Sequence, residues 1–252
     1  MANWSDPRLD NRVGVDNTSY HGSVGVPDAT YDAGLRSYMQ GVYNYMAAGV
    51  GLTGVVAYLI GNSSLVNLLV GPTGFTLLGW VALFAPLAFV LVLSAGVNRM
   101  SEGALKLTFW AFAAVMGASL STIFLRFTGG SIAQTFFATA VAFLGLSIWG
   151  YTTKKNLSGW GSFLIMGVIG LIVASIINIF LQSPALYFAV SAIGVLVFAG
   201  LTAYDTQRIK SMYFHVAGSD MVGKTMIMGA LSLYLDFINM FQFLLSFMGS
   251  ND

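Results

Sequence analysis

Met226 to Gly249 reads MIMGALSLYLDFINMFQFLLSFMG, a long and almost wholly apolar stretch. As a helix rising about 1.5 Å per residue it is long enough to cross a hydrocarbon layer about 30 Å thick. Asp236 is its only charged residue. A carboxylate near the bilayer centre costs roughly 2.5–3.5 kcal/mol on insertion scales, so such groups usually face protein or a water-filled cavity. We therefore expect a membrane-spanning helix whose acid has a functional role.

The composition of the whole chain agrees with a membrane protein. Its 252 residues are 56% hydrophobic and only 8% charged, against about 25% charged residues in soluble domains. The net charge of +1 argues neither for nor against nucleic acid, but the charged residues are too sparse and scattered to form a basic face that binds it. The absence of cysteine rules out disulfides, thiolate metal sites and cysteine nucleophiles within this sequence.

Hydropathy predicts an all-α integral membrane protein with seven transmembrane helices. Residues 1–37 are polar and lack an apolar signal core, so we expect a soluble, partly disordered tail before one membrane domain at 38–252. Pro86 should kink the second span. The predicted spans are Tyr38 to Ile60, Gly74 to Val97, Ala104 to Phe127, Ile132 to Thr152, Gly159 to Gln182, Ala185 to Tyr204 and Met226 to Gly249.

The distribution of lysine and arginine predicts the orientation. Seven spans put the termini on opposite sides, and ten of the eleven basic residues fall on the side of the amino terminus. Only Arg126 falls on the other side. By the positive-inside rule we expect a cytoplasmic amino terminus and a carboxyl terminus outside.

Polar residues in the last span form a stripe. Ser232, Asp236, Asn239, Gln242 and Ser246 recur at steps of three and four, which keeps them on one helix face. Such a face is hidden against other helices or along a water path, because hydrocarbon offers no hydrogen-bond partners. For Asn239 and Gln242, simple bridging between helices is the competing interpretation.

Asp205 is the second candidate acid. Locally it is placed to pair with Arg208, three residues later on the same helix face. It meets Asp236 only if the sixth span continues inward or the seventh begins further out. In that case low dielectric and like charge oppose double ionisation, and the two acids would share a proton. Arg99, in the loop after the second span, could neutralise or lock the acids, or pair instead with Glu102.

Smaller features predict contacts between helices. Ala113, Gly117 and Ser121, and Ala47 and Gly51, are small residues at four-residue spacing that would let helices approach closely. Asn178 interrupts an apolar run in the fifth span, and we expect it to hydrogen-bond a neighbouring helix.

Three stretches are recognisable as motifs, namely NIFLQSPAL at Asn178 to Leu186, AYDTQRIK at Ala203 to Lys210 and ALSLYLDFINMF at Ala230 to Phe241. With Leu35-Arg36-Ser37-Tyr38 before the first span, they resemble the Bax inhibitor-1 family in its bacterial YccA-like branch. The likeness runs from about Leu35 to the end of the chain.

The resemblance implies a bundle in which six helices surround the last, located in the bacterial inner membrane and leaking calcium in a pH-dependent way. It implies that Asp205 and Asp236 form a hydrogen-bonded pair near the cytoplasmic mouth and that Arg99 helps to hold the closed state. Two carboxylates fall short of the six to eight oxygens of a dedicated calcium site, so we expect weak transit binding at Asp205 and Asp236 and no cofactor.

Other function classes remain open. A regulatory adaptor of a membrane protease or other membrane partner, without transport, is the main alternative, and the resemblance to the YccA-like branch suggests it. An intramembrane aspartyl protease would fit Tyr204-Asp205, but Leu233, Tyr234 and Leu235 offer no glycine beside Asp236. We therefore expect no enzyme activity. Retinal binding is disfavoured because the last span has no lysine for a Schiff base.

Overall fold

A computed structural model describes residues 28–249, with side chains from residue 33. These residues contain seven helices long and apolar enough to cross a membrane, as the sequence predicts. The helices are α1 Asp28–Gly61, α2 Leu77–Gly96, α3 Glu102–Leu120, α4 Gly129–Thr152, α5 Ser158–Leu181, α6 Pro184–Val216 and α7 Met221–Met248. Two 3-10 turns, Ser64–Leu68 and Ser121–Leu125, and a short hairpin of β1 Val70–Gly71 and β2 Gly74–Phe75 complete the described part.

Hydroxyl side chains fix where several helices begin. Thr76, Ser101, Thr128 and Ser183 precede α2, α3, α4 and α6, and each accepts a hydrogen bond from a backbone N–H in the first turn of its helix. These bonds satisfy donors that have no partner within the helix. Pro86 lies inside α2, which continues through it.

Three helices, α1, α6 and α7, extend well beyond the predicted spans. Residues 1–27 of the predicted 1–37 tail lie outside the described part of the chain, and residues 28–37 belong to α1. Directly after them, Tyr38 of α1 packs against Tyr213, with 5.3 Å between ring centroids. Tyr213 lies in the part of α6 that extends beyond Tyr204 to Val216, and α7 begins at Met221, before the predicted Met226. Both additions carry charged residues, which end a hydropathy window without ending a helix.

The last helix occupies the centre of the bundle, as the resemblance to the Bax inhibitor-1 family implies. In α7, 61% of an apolar 18-residue stretch is buried, against 17% in α2 and 11% in α5. α7 packs against α1, α3, α4 and α6, whereas α2 packs mainly on α3 and α5 mainly on α6. The centre of the protein is therefore a helix with a carboxylate in it.

The loops α2–α3, α4–α5 and α6–α7 lie at one end of the bundle, which we call the basic face. The loops α1–α2, α3–α4 and α5–α6 lie at the opposite face. This division follows from the order of seven spanning helices.

Candidate functional site

Asp205 and Asp236 are both buried, with 9% and 4% of their surface exposed. They line one cavity of about 590 Å³ between α5, α6 and α7, which we call the acid cavity. The sequence allowed the acids to approach each other if the sixth span continued or the seventh began earlier, and α6 is longer and α7 starts earlier than predicted. Ser232 and Asn239, two residues of the predicted stripe, line the same cavity.

The two acids have different surroundings. Asp205 lies 3.9 Å from a guanidinium nitrogen of Arg208, the local pair that the spacing predicts. The Oδ2 atom of Asp236 is buried and has no hydrogen-bond partner within the described part of the chain. A buried carboxylate oxygen without a donor is costly unless a proton, a water molecule or a cation satisfies it. Of the two acids, Asp236 is therefore the one with a buried oxygen that still needs a partner.

The carboxamide of Asn239 is oriented by its own helix. Its Nδ2 atom donates a hydrogen bond of 2.7 Å to the backbone carbonyl of Leu235. The amide oxygen takes no part in this bond and is the acceptor of that side chain. The acid cavity thus combines two carboxylates with hydroxyl and amide oxygens, and oxygen ligands suit hard cations.

Two smaller cavities adjoin the acid cavity along α7. Toward the basic face, a vestibule of about 270 Å³ shares Asp205, Arg208 and Ser232 with it and reaches Val97 at the end of α2. Toward the opposite face, a cavity of about 250 Å³, the opposite-face cavity, shares Ser175, Ile179 and Phe243 with it and is also lined by Ser246. The three cavities follow the polar stripe over most of the length of α7.

The remaining predicted residues lie outside this row of cavities. Gln242 is half-buried and lines none of the three. Arg99 is exposed in the α2–α3 loop, and its guanidinium makes no ion pair within the described residues. Glu102, the alternative partner of Arg99, instead pairs with Lys106 on the next turn of α3. The arginine beside the acids is Arg208.

Asn178 does not bridge two helices, contrary to the sequence-based expectation. Its side-chain oxygen accepts a hydrogen bond of 3.0 Å from the backbone N–H of Ser183. The chain turns there through Gln182, whose φ of 48° is in the left-handed region. Asn178 therefore closes the α5–α6 turn at the opposite face.

Sequence reasoning did not single out Ser175 of α5 or Thr225 of α7, which line the opposite-face cavity and the vestibule. Each is a single small hydroxyl residue, and such residues are common in transmembrane helices. For Thr225 the signal was hidden because it precedes the predicted start of the span. For Ser175, its position three residues before Asn178 was the available signal.

Comparison with known protein families agrees with the motifs. The family model described as inhibitor of apoptosis-promoting Bax1 matches residues 35–252. The chain belongs to the Bax inhibitor-1 family. The match covers all seven helices except the first turns of α1.

Bacterial members of the family are similar over nearly their whole length. An uncharacterized protein of Caulobacter vibrioides is 50% identical over 232 residues, which cover 89% of this chain and 92% of that protein. The inner membrane protein YbhL of Escherichia coli K12 is 46% identical over 220 residues, or 86% of this chain and 93% of YbhL. Together with the seven apolar helices, this likeness identifies a multi-pass protein of the inner membrane. The family is one of membrane proteins.

Proposed function

We propose that this member of the Bax inhibitor-1 family is a passive calcium pathway gated by protonation of Asp205 and Asp236. The observation that carries the proposal is the row of three adjoining cavities along α7, with both acids in the largest. A channel-like role agrees with the family and with a polar row inside an otherwise apolar bundle.

Weak binding is what a leak requires, because an ion must leave as readily as it enters. The described residues contain no group of three or more His, Cys, Asp or Glu side chains placed to hold a metal ion. Asp205, Asp236, Ser232 and Asn239 offer fewer oxygens than the roughly six to eight that calcium takes in a dedicated site. A passing ion would keep part of its hydration shell.

Protonation changes the charge of the acid cavity in two ways. A proton on Asp205 removes the negative charge that attracts Arg208 at 3.9 Å, whereas two ionised acids repel each other across the cavity. Arg208 is the only cationic side chain among the described residues that line the acid cavity or the vestibule. The gate is thus a balance between three charges on two helices.

Calcium entry into dye-loaded proteoliposomes between pH 5 and 8 tests the proposal. We expect a wild-type flux that changes with pH, and loss of that change in Asp205→Asn and in Asp236→Asn. Asp220→Asn is the matched control, because Asp220 precedes α7 at the basic face and lines none of the three cavities. Flux no greater than that of empty liposomes at every pH would reject the calcium pathway in favour of the adaptor function.

A further inference from the structure

A fourth cavity lies at the basic face, outside the row along α7. It has a volume of about 390 Å³ and lies between the α4–α5 loop and the α6 helix. We call it the basic pocket, and its polar lining includes Lys154, Lys155, Asn156, Ser158, Gln207 and Arg208. None of the described residues that line it carries a carboxylate.

The wall of the basic pocket is fixed by one side chain. Gln207 accepts a hydrogen bond of 2.8 Å from the backbone N–H of Leu157 and donates one of 2.9 Å to the carbonyl of Lys155. In the same loop, Asn156 accepts a hydrogen bond of 2.9 Å from the N–H of Ser158. These bonds hold the loop against α6, and the lysine and arginine side chains are the charged donors of the pocket.

The positive charges of the pocket are poorly compensated. Lys154 and Lys155 are exposed and make no ion pair within the part of the chain that the structure describes. Arg208 is 56% exposed, and its contact with Asp205 is long at 3.9 Å. Nearby Lys210 is engaged elsewhere, because its amino group donates to the carbonyl of Tyr151 and lies 4.4 Å from the centroid of that ring.

We infer that the basic pocket binds a phosphate-bearing anion. Two ammonium groups and a guanidinium around a preformed concave wall match the charge and the acceptor oxygens of a phosphate group. The pocket lies at the ends of α4 and α5, where a spanning helix leaves the hydrocarbon, and basic pockets at that level bind lipid headgroups. The source of the anion is a lipid headgroup or a soluble phosphate.

The pocket is joined to the acids through Arg208, which lines the basic pocket, the vestibule and the acid cavity. A bound phosphate competes with Asp205 for the guanidinium, so anion binding alters the charge balance of the gate. Binding itself is independent of the proposed function, whereas its effect on calcium flux rests on it.

Retention of lipid by the purified full-length protein, measured by native mass spectrometry, tests binding directly. The probes are phosphatidylglycerol, phosphatidylcholine and inorganic phosphate, and the variant is Lys154→Gln/Lys155→Gln. Two charges near a membrane surface correspond to roughly 30-fold weaker binding of phosphatidylglycerol in the variant. Lys224→Gln, at the same face but outside the pocket, should bind as the wild type does.

The arms of the experiment separate the sources and the two proposals. Retention of phosphatidylglycerol without competition from inorganic phosphate identifies a lipid headgroup, and competition by inorganic phosphate identifies a soluble anion. Equal retention of phosphatidylglycerol and phosphatidylcholine, or equal binding by wild type and Lys154→Gln/Lys155→Gln, would overturn the inference. The variant Lys154→Arg/Lys155→Arg should restore binding, which separates lost charge from lost folding. A protein that binds the anion but carries no calcium would reject the proposed function and keep the anion site.

Discussion

The guanidinium of Arg208 lies 3.9 Å from the carboxylate of Asp205, one turn further along α6. The same arginine borders the acid cavity, the vestibule and the basic pocket. One side chain thus lies between the buried acids and the charged surface of the protein.

Replacing this arginine should increase cation flux. In Arg208→Gln we expect calcium entry at neutral pH to rise several-fold, because a fixed positive charge leaves the vestibule and Asp205 loses its neighbour. Arg208→Lys keeps the charge and should stay near the wild-type rate. The initial rate of dye response in proteoliposomes measures both. Identical rates in the two variants would show that the charge of Arg208 does not limit entry.

Phe243 should limit passage between two cavities. Its side chain lines both the acid cavity and the opposite-face cavity, and its ring stacks on Phe198 with 5.7 Å between centroids. Apolar constrictions of this kind restrict the passage of water and ions. We therefore expect Phe243→Ala to raise calcium flux several-fold.

The control for this constriction is Phe247→Ala, one turn further along α7. Phe247 is exposed, packs against Phe188 and lines none of the three cavities along α7. Its replacement should leave flux unchanged. If both variants increased flux alike, general loosening of the helix end would explain the effect, and a constriction at Phe243 would not.

A buried hydroxyl network joins three helices, and its two hydroxyl residues should contribute differently to stability. Thr53 donates a hydrogen bond of 2.8 Å to the carbonyl of Ala113, and its oxygen lies 2.6 Å from the hydroxyl of Tyr234. Because the single proton of Thr53 is used for Ala113, Tyr234 must be the donor in the second bond. The network ties α1 to α3 and α7.

Removing the Thr53 hydroxyl should lower the unfolding free energy more than removing the Tyr234 hydroxyl. Thr53→Val leaves the buried Tyr234 hydroxyl without an acceptor and should cost about 1–3 kcal/mol of unfolding free energy. Tyr234→Phe removes the donor together with its bond and should cost about 0.6–1 kcal/mol. Unfolding in mixed SDS micelles measures both free energies. A larger loss in Tyr234→Phe than in Thr53→Val would contradict the assigned direction of the bond.

The crossing of α1 and α3 should depend on one glycine. A methyl group at Gly117 would lie 2.7 Å from the carbonyl oxygen of Thr53, whereas nothing lies within 4 Å of the same position at Gly51. Gly117→Ala should therefore destabilise the protein by roughly 1–3 kcal/mol through overpacking. Gly51→Ala, in a helix interior with open space, should be neutral or stabilising by up to about 1 kcal/mol. The same SDS unfolding experiment distinguishes them, and equal losses would contradict the close approach at Gly117.

The number of helices was predictable because hydrophobic length is a local signal, and the burial of Asp236 was predictable because it is an isolated carboxylate within an apolar span. The end of α6 and the start of α7 were harder to predict. Hydropathy falls at Arg208 and Lys224, but helical backbone hydrogen bonding continues through both residues. Small-residue spacing predicted a close helix approach at Gly117 and at Gly51; Gly117 does lie against α1, but Gly51 faces open space. Spacing alone does not say which face of a helix meets its neighbour.

Contacts of the acids were predictable only with residues that are close to them along the sequence. Arg208 follows Asp205 on the same helix, so its contact could be read from the spacing of three residues. The basic pocket joins the α4–α5 loop to Gln207, far along the chain. Nothing in a single sequence signals a contact of that separation, because it depends on how α4, α5 and α6 pack.

The contact between α5 and α6 affects the electrostatic surroundings of the acids. It is closely packed at three glycines, with Gly161 against Tyr204, Gly167 against Val197 and Gly200 against Leu164. α5 has little other support in the bundle and forms one wall of the acid cavity. On this side of the bundle, α5 is therefore the helix that separates the carboxylate of Asp236 from the surrounding hydrocarbon. Close packing of α5 against α6 keeps low-dielectric lipid away from Asp236. The packing of the bilayer thereby affects the free-energy cost of a charge on that acid.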